Sequence, residues 1–208
     1  MTPELISIDV SAGAQAESQS GLAMLRPRIW GSFTAPTRSR AAAIVIHPTS
    51  NFMGHYLLAP LAERGIAALG LNTRYLGSDV TLLLERAIQD LGAGVKWLRM
   101  KGFERILLIG NSGGGALVSL YQAEAERLTI KDTPAGDPIG LEPGDLPPAD
   151  AISLNAAHLG RMHLMNVWLD PAVIDEADAF GSDPALDMFN PDNGPPYSVD
   201  FLKTYRAA

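Results

Sequence analysis

Residues 105–115 read RILLIGNSGGG, and this stretch limits the fold more than any other part of the chain. Arg105–Ile109 is a short, unbroken apolar run, the pattern of a strand buried on both faces. Ala116–Glu126 carries on as a helix. A chain that leaves a buried strand and enters a helix within a few residues must turn sharply. Glycines suit that turn, because a Cβ there collides with the adjoining strand and helix. Two glycine-rich alternatives fail on detail. A dinucleotide fingerprint needs Gly where Ser112 stands, and a phosphate-binding loop needs Gly-Lys-Ser/Thr after the turn.

Further units of the same kind flank this one. Ala41–His47 (AAAIVIH) and Ile66–Leu71 read as buried strands, and Ala151–Ala157 (AISLNAA) as a fourth. Phe52–Arg64 has helix-like apolar spacing, with Gly65 as its stop. Leu84, Ala87, Ile88, Leu91, Val95 and Leu98 recur at helical spacing, which predicts an amphipathic helix capped by Ser78 or Asp79 and ended by Gly102. Trp97 falls near that stripe and reads as packing. Leu5–Val10 and Ala23–Phe33 suggest a leading antiparallel pair joined by the polar segment SAGAQAESQSG. Residues 129–150, rich in Pro, Gly and Asp, read as a surface excursion. Asp175–Pro196 is acidic and turn-rich, a solvated loop without the spacing of a calcium loop. Val199–Ala207 reads as a closing helix. Alternating strands and helices predict an α/β fold built on a mostly parallel, doubly wound sheet.

The turn itself carries candidate chemistry. Gly110-Asn111-Ser112-Gly113-Gly114 fits G-x-S-x-G, and its strand–turn–helix setting would hold the Ser112 side chain above the sheet edge. The helix that follows supplies unpaired N–H groups and positive partial charge. Ser112 is therefore a candidate nucleophile, and the Gly113 N–H a candidate donor to a developing oxyanion. A tight turn with a small residue at its apex would give the same letters, so the motif is specific only in this setting. A second donor belongs in the loop after an earlier core strand, here His47-Pro48-Thr49-Ser50-Asn51. Pro48 has no N–H, which leaves Thr49 first and Ser50 second. Capping of the next helix is the competing role for Thr49, Ser50 and Asn51. His47, at the strand's end, is expected to hydrogen-bond within its loop and shape the oxyanion pocket rather than act as a base.

These residues together resemble the α/β-hydrolase family over roughly residues 20–160. IVIHPTS is similar to that family's strand and oxyanion loop, which more often reads His-Gly. LLIGNSGGG is similar to its strand and nucleophile elbow. Asn72-Thr73-Arg74 resembles the polar segment after the next strand, and AISLNAAHLGR the core strand after the elbow helix. The resemblance implies a Ser–His–acid triad, hydrolysis of an ester, thioester or lactone through an acyl-enzyme, and no cofactor. It also implies two further strands bearing the acid and the histidine, in the order nucleophile, acid, histidine. No such strands are legible after residue 160.

Three accounts stand open. The natural polypeptide continues beyond Ala208, with residues 1–158 a hydrolase core incomplete at its C-terminal edge and 159–208 a cap-like or connecting segment. Or a second chain completes the triad, a homodimer being one such arrangement. Or His158 or His163 serves, with Asp170, Asp175 or Asp178 as acid. The first is favoured, because a sheet that stops there exposes an edge and an apolar face. A non-catalytic binding module of the same fold is the alternative to an enzyme.

Composition narrows the remainder. A net charge of −7 argues against broad nucleic-acid binding. The lack of cysteine excludes disulfides, thiolate catalysis and cysteine-held zinc. No secretory leader or membrane-length apolar run is present. The expectation is a cytoplasmic protein with a small ester-like substrate, no metal and no membrane partner.

Overall fold

The computed structural model describes residues 2–10, 28–175, 177–178 and 180–208. The polar segment 11–21 and the first residues of the second expected strand lie outside the described residues. The chain divides into two compact units, Met1–Leu159 and Gly160–Ala208.

The first unit is built on a six-stranded sheet. Its strands are β1 (Glu4–Asp9), β2 (Arg28–Thr34), β3 (Ala41–Ile46), β4 (Ala67–Leu71), β5 (Arg105–Asn111) and β6 (Ala151–Asn155). They lie in the order β1-β2-β4-β3-β5-β6. β3 pairs parallel with β4 and β5, and β5 pairs parallel with β6. β2 runs antiparallel to both β1 and β4. The three helices are α1 (Leu58–Glu63), α2 (Leu84–Met100) and α3 (Gly114–Glu126). The sheet is thus α/β and mostly parallel, as the alternating pattern predicts.

Two apolar clusters cover the two faces. Ala42, Ile44 and Ile46 of β3 join Leu69, Leu71, Ile106 and Leu108 under α2 and α3. Ala43 and Val45 of the same strand turn the other way, toward Leu58 of α1 and Phe52. Continuous apolar runs form here because both faces of β3 are covered. The α2 stripe behaves as its spacing predicts: Ala87, Ile88, Leu91, Val95 and Leu98 are fully buried. Each large aliphatic side chain so buried contributes about 1.5–3 kcal/mol. Trp97 packs edge-on against Phe33, ring centroids 5.0 Å apart.

Three details depart from expectation. The helix predicted over Phe52–Arg64 spans only Leu58–Glu63, because the carboxamide oxygen of buried Asn72 accepts the Phe52 N–H at 2.8 Å and holds that segment in turns. Neither Ser78 nor Asp79 caps α2, whose N-cap is Leu83; the Ser78 and Thr81 hydroxyls bond to each other instead. Residues 129–150 are no loose excursion. Ile139, Leu146 and Ala149 are buried, and the guanidinium of buried Arg86 donates to the Ile139 and Pro138 carbonyls at 2.8 and 2.9 Å. Short polar residues set the turns there, but the segment's apolar residues dock it against α2.

The second unit contains α4 (Arg161–Trp168) and α5 (Val199–Ala207), joined by turns. The closing helix matches its predicted bounds; α4 was not legible. Asp175, Asp178 and Asp183 each accept the N–H two residues on, which fixes local turns; Glu176 lies outside the described residues. Tyr197, just before α5, stacks on Phe201, which in turn meets Tyr205 one turn on. Among the described residues, no helix is long and apolar enough to cross a membrane.

Candidate active site

β5 ends and α3 begins around Ser112. The Ser112 backbone has φ +53°, a left-handed conformation that costs an L-residue about 1–2 kcal/mol. Its N–H donates to the Asn155 carbonyl of β6 at 2.9 Å, and its carbonyl accepts the Gly115 N–H at 3.0 Å. The turn is locked between the neighbouring strand and the new helix. A Cβ on Gly110 would collide with the Gly114 carbonyl, and one on Gly114 with the carbonyl of Ile46 at the end of β3. The helix can start this close to two strands only because side chains are absent at those places. Gly113, the N-cap of α3, is buried, and its N–H is among the donors that a helix leaves without an internal partner.

The loop after β3 folds around His47. Its Nδ1 accepts the Thr49 N–H at 3.1 Å and the Ser50 N–H at 3.0 Å. The expected loop-shaping role of His47 is visible in these bonds. So is a competing use of the Thr49 N–H, the backbone donor favoured from the sequence. The Thr49 carbonyl accepts the Gly77 N–H at 2.8 Å, and the Thr73 hydroxyl donates to the Pro48 carbonyl. The His47 ring stacks on Phe52, centroids 5.7 Å apart at 22°. Burial pushes the His47 pKa below its ordinary value; Asp79 nearby raises it, and His158 lowers it again.

Both imidazoles reach Gly113. The point where a Gly113 Cβ would sit lies 3.0 Å from His47 Nε2 and 3.6 Å from His158 Nε2. β6 delivers His158 through a bend at Ala156, φ +46°, while Ala157 lies against Gly115. His163 is an exposed residue of α4, in the second unit. Asp170, Asp175 and Asp178 also belong to that unit. Among the described residues, no group of three or more His, Asp or Glu side chains is placed to hold a metal ion.

Sequence reasoning missed the support beneath the loops. Asp90, fully buried within α2, accepts the Arg74 N–H at 2.8 Å and its guanidinium at 2.7–3.1 Å. Burial pushes the Asp90 carboxyl upward, and the hydrogen bonds from Arg74 oppose that shift. The stripe could not have shown it: at about 100° per residue Asp90 lies roughly 110° from the centre of the apolar face, where an acid ordinarily meets water. Asn72 holds Phe52, as described, and donates to the Asn51 side chain at 3.0 Å.

A serine at a strained strand-to-helix turn, on a mostly parallel α/β sheet, defines the class of site. No family model and no curated protein matches the chain. Among solved structures it is similar to an esterase from Pyrococcus furiosus, with 22% identity over 59% of this chain and 45% of that one, TM-score 0.45. It is also similar to a thermostable carboxyl esterase from Bacillus coagulans, with 14% identity over 64% and 43%, TM-score 0.45. A third is dienelactone hydrolase from Anabaena variabilis, with 16% identity over 61% and 59%, TM-score 0.43. The chain spans about half the length of these structures.

Proposed function

We propose that this chain carries the nucleophile of a serine hydrolase acting on a carboxylic ester, thioester or lactone. The observation that carries the reading is the left-handed backbone of Ser112, φ +53°, at the β5–α3 junction. Strain of this kind persists where the surroundings over-determine it, and it concentrates at functional sites.

In this reading the Ser112 Oγ attacks the acyl carbon, and the carbonyl π pair moves onto oxygen as the Oγ–C bond forms. A histidine base takes the hydroxyl proton and gives it to the leaving alcohol, thiol or lactone oxygen. Water then releases the acid from the acyl-enzyme. The Gly113 N–H, at the positive end of α3, is the first donor to the oxyanion. Thr49, or the ring its N–H contacts, is the second. His47 is a poor base, because its Nδ1 already accepts two N–H groups. His158 is the imidazole that β6 brings beside Gly113.

The test is covalent labelling of the full-length protein with a fluorophosphonate, together with hydrolysis of 4-nitrophenyl acetate. Ser112→Ala should abolish both. Labelling that survives in Ser112→Ala would falsify the assignment. A wild-type protein that neither labels nor hydrolyses any short ester, thioester or lactone would favour a binding module instead.

A further inference from the structure

We propose that the imidazole Nε2–H of His47, rather than a backbone N–H of its loop, is the second hydrogen-bond donor to the acyl oxygen at Ser112. The proposal rests on the serine-hydrolase reading above and assigns one more residue to that site.

It begins with proton placement. A ring nitrogen that accepts a hydrogen bond has its lone pair free and bears no proton. Nδ1 of His47 accepts two, from the N–H groups of Thr49 and Ser50 at 3.1 and 3.0 Å. The neutral ring must then carry its proton on Nε2. That nitrogen is a fixed donor, and the two backbone N–H groups nearest to it in the loop are occupied by the ring.

The donor also has a defined position. His47 Nε2 lies 3.0 Å from the point where a Cβ on Gly113 would sit, on the residue directly after Ser112. The Gly113 N–H and the His47 Nε2–H therefore flank the same corner of the elbow. The ring has little freedom to leave it. It stacks on buried Phe52, whose N–H is held by buried Asn72, and the loop carbonyls of Pro48 and Thr49 accept from Thr73 and Gly77. Partial burial and the neighbouring His158 both favour the neutral ring, against the pull of Asp79. A neutral N–H donor held in place before charge develops needs no reorganisation as the oxyanion forms.

Two substitutions separate donation from loop support. His47→Asn keeps an acceptor oxygen near the Nδ1 position and removes the Nε2 donor. His47→Gln keeps a side-chain N–H at about the Nε2 reach and removes the acceptor. With 4-nitrophenyl acetate and the full-length protein, His47→Asn should lower kcat about 10²–10³-fold, the usual loss for one oxyanion donor. KM should change little, because the bond strengthens only in the transition state. His47→Gln should retain more activity and unfold at lower urea. Wild-type kcat in His47→Asn, or a larger kcat loss in His47→Gln than in His47→Asn, overturns the proposal and makes His47 a loop support. If His47→Asn does not fold, nitrogen-15 NMR of the wild type decides. The Nε2-bound proton of His47 should move downfield when Ser112 is phosphonylated, and an unmoved proton overturns the proposal. Wild-type labelling at Ser112 tests the hydrolase reading separately, since no His47 variant enters that measurement.

Discussion

Replacing Ser112 by Gly and by Ala removes the same hydroxyl but leaves different backbones. Ala keeps a Cβ at φ +53°, where an L-residue is strained by about 1–2 kcal/mol; Gly meets no such cost. Gly also loosens the unfolded chain, which offsets about 0.4–1 kcal/mol of the gain. Taking the middle of each range, about 1.5 less about 0.7, Ser112→Gly should be more stable than Ser112→Ala by about 0.8 kcal/mol. For a chain of 208 residues that is a Tm difference of about 2–3 °C, at about 2–4 °C per kcal/mol. The comparison cancels every interaction of the lost hydroxyl, leaving the backbone, the entropy of the unfolded chain and the contacts of the Cβ itself. Urea unfolding with equal m-values, checked by thermal melts, measures it. An Ala variant as stable as the Gly variant, or more so, would refute strain at the elbow. Both variants should be inactive, which separates the strain from its use.

Two other expectations follow from the supporting bonds. Asp90→Asn should destabilise the protein by about 3–5 kcal/mol, the usual cost of breaking a buried ion pair; a shift in urea midpoint worth under about 1 kcal/mol would show that the pair contributes little to stability. Asp150 takes the Ile106 N–H at 2.8 Å and pairs with Arg99 and Arg105, and these bonds, the backbone one foremost, hold its carboxyl below the ordinary range despite desolvation. A depressed folded pKa gives stability that is present above the unfolded value, about 3.8, and is lost as pH falls through the folded one. Asp150→Asn should therefore lower stability near neutral pH and flatten its decline below about pH 4. An unchanged acid limb in urea midpoints would remove Asp150 from that role.

The middle of the sheet was legible because its strands are apolar on both faces, a pattern that survives without knowledge of neighbours. β3, β4 and β5 fall where short apolar runs occur, whereas β6, read as a fourth buried strand, is the sheet's edge and leaves Ile152 and Leu154 exposed. Ser112 was legible because the glycines around it answer to backbone contacts fixed by the turn itself. Local rules failed where long-range polar bonds decided the conformation. Asn72 lies 20 residues from the Phe52 N–H it captures, and Arg86 reaches across 52 and 53 residues to the carbonyls it binds. The same holds at the candidate site. That Thr49 has a backbone N–H is visible from the letters; that His47 turns its Nδ1 onto it is a matter of ring orientation, which no spacing encodes.

The close approach of Gly114 to the Ile46 carbonyl has a consequence for how such a site can change over generations. It ties the start of the elbow helix to the end of β3, so the height of Ser112 relative to the His47 loop is set by main-chain contact rather than by exchangeable side chains. Sequence drift in the exposed parts of residues 49–57 can remodel the surface around Ser112 without moving the serine against its proposed donors. Gly114 itself has no such latitude. A line of descent that retained Ser112 but lost Gly114 would have to rebuild that spacing by moving main chain.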